Sequence, residues 1–267
     1  MTVSRLIDGH VATLVIDRQA ALNALDIATL RSLREHLAEV RDSRQVRAIV
    51  LTGGGDRAFC VGADLKDTAA SPAPYAEAFF HAKDAAADLG LYIRLMDLSD
   101  LGLCKPMIAA INGHCLGGGL ELALQCDIRI ASRSASFGLP ETMVGSVPAV
   151  SGLHRLLKAI PSAAAMQMAL TGERIQASQA LDWGLVSETT APDALLARAT
   201  AIARRIAANA PLAVQAVKKL GTQTAHLSDA DAQQLTELYW GVLRDTDDRR
   251  EGRLAFAEKR PPLYTGR

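Results

Sequence analysis

Two glutamates and a glycine turn carry most of the chemistry open to this sequence. Glu121 stands three residues after Gly118 in the run Gly117-Gly118-Gly119-Leu120-Glu121, and Glu141 follows Phe137-Gly138-Leu139-Pro140. The leading amides of a helix lack intrahelical acceptors and carry partial positive charge. Glycine lets a ligand atom approach those amides without a Cβ in the way. A helix opening at Gly118 would therefore offer an anion or oxyanion site. A second amide is needed, and Ala63 could supply it from the turn Ala58-Phe59-Cys60-Val61-Gly62-Ala63-Asp64-Leu65-Lys66, which follows a different strand. Two donors aimed at one thioester oxygen would stabilise the charge that develops as Cα becomes carbanion-like, each worth roughly 3–4 kcal/mol.

Helical side chains lean back towards the N-terminus, so the Glu121 carboxylate should point to the end that offers the amides. Pro140 holds Leu139 extended, and Glu141 should then begin a short helix. Two carboxylates beside one oxyanion site can divide acid and base work, because like charges drive their pKa values apart. Each feature alone has a plainer reading. A glutamate in a first helical turn compensates the dipole or completes a capping box, and most glycine turns are only turns. The combination is the specific signal.

The elements that must position these residues are legible in outline. Ser4 to Ile7 and Val11 to Ile16 read as strands around Asp8-Gly9. Asp26 reads as the N-cap of a helix with Leu30, Leu33, Leu37 and Val40 on one face. Val46 to Thr52, Pro106 to Ile111 and Asp127 to Ala131 read as strands, and Leu120 to Leu124 as a helix. Pro72 and Pro74 mark a loop before a helix near Tyr75 to Leu89. From Gly152 onward the pattern is almost wholly helical, with stretches over Pro192 to Asn209, Pro211 to Leu220 and Asp229 to Arg244, then a charged tail to Arg267. Strands interleaved with helices predict a layered α/β fold. The lobe boundary is drawn near Ala191, and no repeat is visible.

Composition removes several classes of function. Of 267 residues, 49% are hydrophobic and 22% charged, enough for a sizeable core. Lys+Arg and Asp+Glu both number 29, so no excess of positive charge points to nucleic acid or an anionic membrane. Cys60, Cys104, Cys115 and Cys126 form no C-x-x-C pair, and the first residues lack a signal-peptide pattern. A cytoplasmic protein is expected. No phosphate-loop, dinucleotide or nucleophile-elbow motif appears, and the six histidines lack metal-ligand spacing. His114 and Cys115 read as a packed loop pair, and Cys60 as a small packed residue. Arg31, Arg34, Arg41 and Arg44 interleave with Glu35, Glu39 and Asp42 along the first helix. That pattern reads as a salt-bridged face, with an RNA-binding or scaffolding role as the alternative.

The segments AFCVGADLK (Ala58 to Lys66), INGHCLGGGLELALQCDIRIA (Ile111 to Ala131) and FGLPETMVGSVP (Phe137 to Pro148) resemble the signatures of the crotonase (enoyl-CoA hydratase/isomerase) superfamily, in order and at suitable separations. DRQAALNAL (Asp17 to Leu25), ALTGERIQASQALDWGLVSE (Ala169 to Glu188) and EGRLAFAEKRPPLYTGR (Glu251 to Arg267) extend the resemblance over nearly the whole chain. It implies an α/β spiral of β-β-α units over residues 1–190, carrying the CoA and catalytic site. A helical C-terminal trimerisation region over residues 191–267 would follow, with a homotrimer or dimer of trimers as the assembly. It implies Ala63 and Gly118 as oxyanion-hole amides, Ala63-Asp64-Leu65-Lys66 along the CoA path, and Glu121 and Glu141 as the catalytic acid/base pair. It implies no cofactor or metal, coenzyme A entering as part of an acyl-CoA thioester substrate. Retention of both glutamates favours hydration of a trans-2-enoyl-CoA over isomerisation, specialised dehydration or thioester hydrolysis. Two departures stand out. Pro148-Ala149-Val150-Ser151-Gly152 replaces a segment usually richer in glycine, adding bulk near the acyl pocket, and His154 stands where hydratases often carry glutamine.

Overall fold

The computed structural model describes residues 2–64 and 74–267. Among them ten strands form two sheets. The larger runs β1 (Val3–Asp8), β2 (Val11–Ile16), β3 (Ala48–Gly53), β5 (Met107–Ile111), β7 (Ile128–Ser132), β10 (Glu188–Thr190), parallel apart from the β1–β2 hairpin. The smaller runs β4 (Ala58–Cys60), β6 (His114–Leu116), β8 (Ser136–Gly138), β9 (Ile175–Gln176). Consecutive pairs β3/β4, β5/β6 and β7/β8 each place one strand in each sheet, so the chain winds as a spiral whose repeat is spatial. This is the α/β spiral that the resemblance implies.

All six residues of β3 are buried, as a central parallel strand requires. Its alternate side chains enter two different clusters. Ile49 and Leu51 join the main core with Phe59 and Phe137, while Ala48 and Val50 face Ala199, Ala203 and Ala207. Those alanines recur at a spacing of four along α9 (Leu195–Ala207), bringing that helix close against the sheet. The helix that opens the expected C-terminal region therefore packs on the core sheet. Helix α1 (Ile27–Asp42) is capped by the Asp26 carboxylate, which accepts from Thr29 N at 2.7 Å, and buries Leu30, Leu33, Leu37 and Val40.

The remaining helices are α2 (Tyr75–Phe79), α3 (Lys83–Ala86), α4 (Ile93–Met96), α5 (Gly118–Ala123), α6 (Gly152–Ala159), α7 (Ser162–Thr171), α8 (Ala177–Asp182), α10 (Pro211–Gln223), α11 (Asp229–Arg244) and α12 (Asp247–Glu258). Three expectations change. The single helix over Tyr75 to Leu89 is several short pieces, with a wide turn over Ala87–Leu91 in which Gly90 has φ 93°. The segment beyond Gly152 contains β9 and β10, and the charged tail contains α12. Among the described residues no helix is long and apolar enough to cross a membrane.

The arginine face of α1 is committed to the protein. Arg31 pairs with Asp84 and Asp88, while Arg34 bonds the Leu95 and Asp97 carbonyls and the Asp100 carboxylate. Arg41 holds Asp42 and the Leu101 carbonyl. Most of these partners lie on other elements, not along α1 as the interleaved acids had implied.

Candidate active site

The turn after β4 and the start of α5 meet at the backbone. Leu25 N donates to Gly62 O at 2.7 Å and Asp64 N donates to Leu25 O at 3.0 Å, a parallel bridge that leaves the intervening Ala63 N–H turned away from Leu25. A Cβ placed on Gly62 would lie 2.8 Å from Gly118 N, so the two turns are in direct contact. Gly118 opens α5, and its amide has no intrahelical acceptor. Arg18 fixes the turn from below, pairing with Asp64 at 3.0 Å and Asp26 at 2.9 Å. Leu65 and Lys66, expected along the CoA path, lie outside the described residues.

Glu121 sits in the first turn of α5 and is 3% exposed. Its Oε1 accepts from Val150 N at 2.7 Å and from Gly152 N at 2.9 Å. Burial raises its pKa, and the two amides partly offset that by stabilising the carboxylate. Ser151, between those amides, adopts a left-handed backbone with φ 64°, which lets both nitrogens converge on one oxygen. Val150 itself packs into the core, 5% exposed, so its bulk does not narrow the acyl pocket as the sequence had implied; Ala149 lines the cavity instead.

Glu141 lies in a short 3-10 turn, Pro140–Val144, with proline at its start. Its Oε2 is buried and has no hydrogen-bond partner among the described residues, and its Oε1 would lie 3.1 Å from a Cβ on Gly117. Burial pushes its pKa up to about 7, with the Glu121 charge adding to the rise. The pair thus titrates as two interacting acids in a shared site.

Both acids line a cavity of about 410 Å³ together with Ala63, Gly117 and Gly118. Apolar side chains form much of its wall: Val61, Ile93, Met96, Met143, Val144 and Val147. Larger hollows of about 520 and 510 Å³ lie against the C-terminal segments, and neither contains Glu121 or Glu141. Cys60 is inert beside the site: burial pushes its thiol up to about 12. His114 packs with its Nδ1 2.8 Å from Ser136 Oγ. Sequence reasoning thus named the four residues that meet here. It missed the Val150 and Gly152 amides that hold Glu121, although the departure at Pro148 to Gly152 marked the segment. It also missed Tyr92 and Met96, which no motif marks, and Arg174, which stands in the quoted segment Ala169 to Glu188 but was given no role there.

A two-sheet spiral that closes around such a cavity defines the class: a crotonase-type enzyme of acyl-CoA chemistry. The enoyl-CoA hydratase/isomerase family model matches residues 7–267. The (E)-benzylidenesuccinyl-CoA hydratase of Thauera aromatica is 42% identical over 266 residues, covering 100% of each chain. The carnitinyl-CoA dehydratase of Proteus mirabilis (strain HI4320) is 40% identical over 263 residues, covering 97% of this chain and 96% of its own. The crystal structure of an enoyl-CoA hydratase from Bacillus anthracis superposes with a TM-score of 0.89 at 34% identity, covering 100% of both chains. The chain belongs to the enoyl-CoA hydratase/isomerase family, and is a hydro-lyase of the acyl-CoA hydratase/dehydratase kind.

Proposed function

We propose that the protein adds water reversibly across the double bond of a trans-2-enoyl-CoA to give a 3-hydroxyacyl-CoA. The thioester oxygen lies between the Ala63 and Gly118 amides, which stabilise the enolate as it forms. Glu121 and Glu141 hold the water between them. Ionised Glu121 takes a proton from the water as its oxygen bonds Cβ, and protonated Glu141 delivers a proton to Cα as the enolate collapses. One hydrogen and one hydroxyl are added, and the pair is reset by exchange of the remaining proton. Coenzyme A enters as part of the substrate, and no separate cofactor takes part. The observation that carries this reading is the placement of two acids in one cavity, the buried Glu121 pinned by two amides and the half-buried Glu141 with a buried, unpaired oxygen.

The test is loss of the conjugated enoyl-thioester absorbance on adding enzyme. A wild-type rate no greater than that of a Glu121→Gln/Glu141→Gln control, across short, medium and aromatic acyl chains, would end the proposal. A relative named as a dehydratase supports a second reading, in which the physiological direction is loss of water from a specialised hydroxyacyl-CoA. Products formed in heavy-oxygen water separate water addition or loss, in either direction, from the other enolate reactions: label at Cβ marks the former, label in a free acid marks thioester hydrolysis, and no label marks isomerisation.

A homotrimer, or a dimer of trimers, is proposed as the assembly. Its support is the apolar surface on the C-terminal helices, including Val217 at 70% exposure, Val242 at 71% and Phe256 at 87%. Four free cysteines fit a reducing, cytoplasmic setting.

A further inference from the structure

The cavity that holds the two acids also contains a cation that neither acid uses. Arg174 lines the cavity just before β9, its Cγ 3.3 Å from where a Cβ on Gly138 would stand. It is the only Lys or Arg among the described residues lining the cavity, and no carboxylate or carbonyl among the described residues pairs with its guanidinium. Arg31, Arg34, Arg129 and Arg260 show what this chain does with arginines it uses structurally: each is tied to carboxylates or carbonyls. Arg174 is not neutralising the catalytic pair either. The causes that raise Glu141 are burial and Glu121, and no cation is among those acting on either acid.

The surroundings define what such a cation would meet. The wall is mostly apolar, and Tyr92 adds a hydroxyl with no partner among the described residues. Arg174 is exposed, so its guanidinium is hydrated in the free protein, and a plain acyl chain offers that charge no partner. A carboxylate on the acyl group would replace that water with a charge-assisted, bidentate pair, the geometry that arginine fits best. We propose that Arg174 is a specificity-determining residue that binds a free carboxylate on the acyl group. The substrate class is then a 2-enoyl-CoA with an apolar body and a second acid function. This inference rests on the hydratase reading above for the reaction, and on the cavity and its unpaired cation for the ligand. The relative named as a benzylidenesuccinyl-CoA hydratase acts, by its name, on an acyl group of that description.

The experiment compares matched esters that differ only in the acid group: cinnamoyl-CoA with its 2-carboxymethyl derivative, and crotonyl-CoA with fumaryl-CoA. Wild-type enzyme should prefer the carboxylated member of at least one pair in kcat/KM. Arg174→Gln should lower that preference about 10- to 100-fold, as expected for losing a hydrogen bond to a charged group, and Arg174→Lys should retain part of it. Equal losses on both members of each pair would mean that the guanidinium serves a CoA phosphate, which every ester shares, and would overturn the proposal. An unchanged preference would overturn it too. Should wild type turn over none of the esters, the hydratase reading fails, and calorimetric binding of succinyl-CoA against butyryl-CoA still decides the ligand. Arg174→Gln must then weaken the first relative to the second; an unaltered ratio sinks the inference.

Discussion

Glu121 and Gly152 are fitted to each other at contact distance: the Gly152 amide donates to Glu121 Oε1 at 2.9 Å, and a Cβ on Gly152 would stand 2.6 Å from that same oxygen. The residue that supplies the hydrogen bond must therefore have no side chain. Gly152→Ala should push the carboxylate out of line with the cavity. A displacement of about 1 Å in a catalytic group costs on the order of 100-fold in rate, so hydration should fall by about that factor while circular dichroism stays native. Gly221→Ala on α10, where a Cβ would meet nothing within 4 Å, is the matched control and should leave the rate unchanged. Equal rates for Gly152→Ala and wild type would show that Glu121 is not positioned by this loop.

The raised pKa of Glu141 has a consequence for stability. Its proton is held more tightly in the folded protein than in the unfolded chain, where a glutamate titrates near 4.5. Folding is therefore least penalised by this group below that value, and the penalty grows as pH rises to and through about 7. Glu141→Gln removes the penalty because it carries no charge to bury. The melting temperature of Glu141→Gln relative to wild type should rise by a few degrees between about pH 5 and about pH 8. A difference that stays flat across this range would mean that Glu141 is solvated and normal.

The legible and illegible parts of the fold divide by length and by contact. The long elements could be read because their own patterns are sufficient: α1 shows an apolar face at helical spacing with Asp26 before it, and β3 is a run of apolar residues ended by glycine. Strands β4, β6 and β8 are three residues long and lie at or near glycines, too short to show a strand pattern of their own. Their strand character comes from the parallel neighbour, as in the His114–Ser136 and Cys115–Phe137 pairs, which no local window contains. The site divides in the same way. Ala63, Gly118, Glu121 and Glu141 stand in compact motifs. The groups that tune them, the amides on either side of Ser151 and the side chains of Met96 and Arg174, arrive through tertiary contacts.

Arg34 tests whether the basic face of α1 serves structure. It donates to the Leu95 carbonyl in α4 and to the Asp97 carbonyl and Asp100 carboxylate just beyond it, and its side chain is 14% exposed. Arg34→Ala should cost about 1–2 kcal/mol in chemical denaturation, because it leaves partly buried acceptors unpaired. Arg44 is exposed and has no partner among the described residues, so Arg44→Ala should change stability by less than about 0.5 kcal/mol. Equal costs would contradict the contacts drawn here. Steeply salt-dependent RNA binding lost on Arg44→Ala would restore the nucleic-acid reading.

Helix α11 is sixteen residues long yet buries none of them within the single chain. Helical stability in proteins comes mostly from packing an apolar face, and α11 displays Leu238 at 67% exposure, Val242 at 71% and Trp240 at 52%, the last with the Arg249 guanidinium over its ring. Phe256 on α12 adds a further 87%-exposed ring. Such a surface on a C-terminal segment is what the proposed trimer would cover. A charge placed there would have to be desolvated on assembly, a cost of several kcal/mol in each copy. Leu238→Glu and Phe256→Glu should each convert the protein from trimer towards monomer in sedimentation at micromolar concentration, with loss of helical signal where α11 no longer has a partner. Wild type that sediments as a monomer would remove the assembly proposal, and variants that sediment with an unchanged wild-type trimer would place its interface elsewhere.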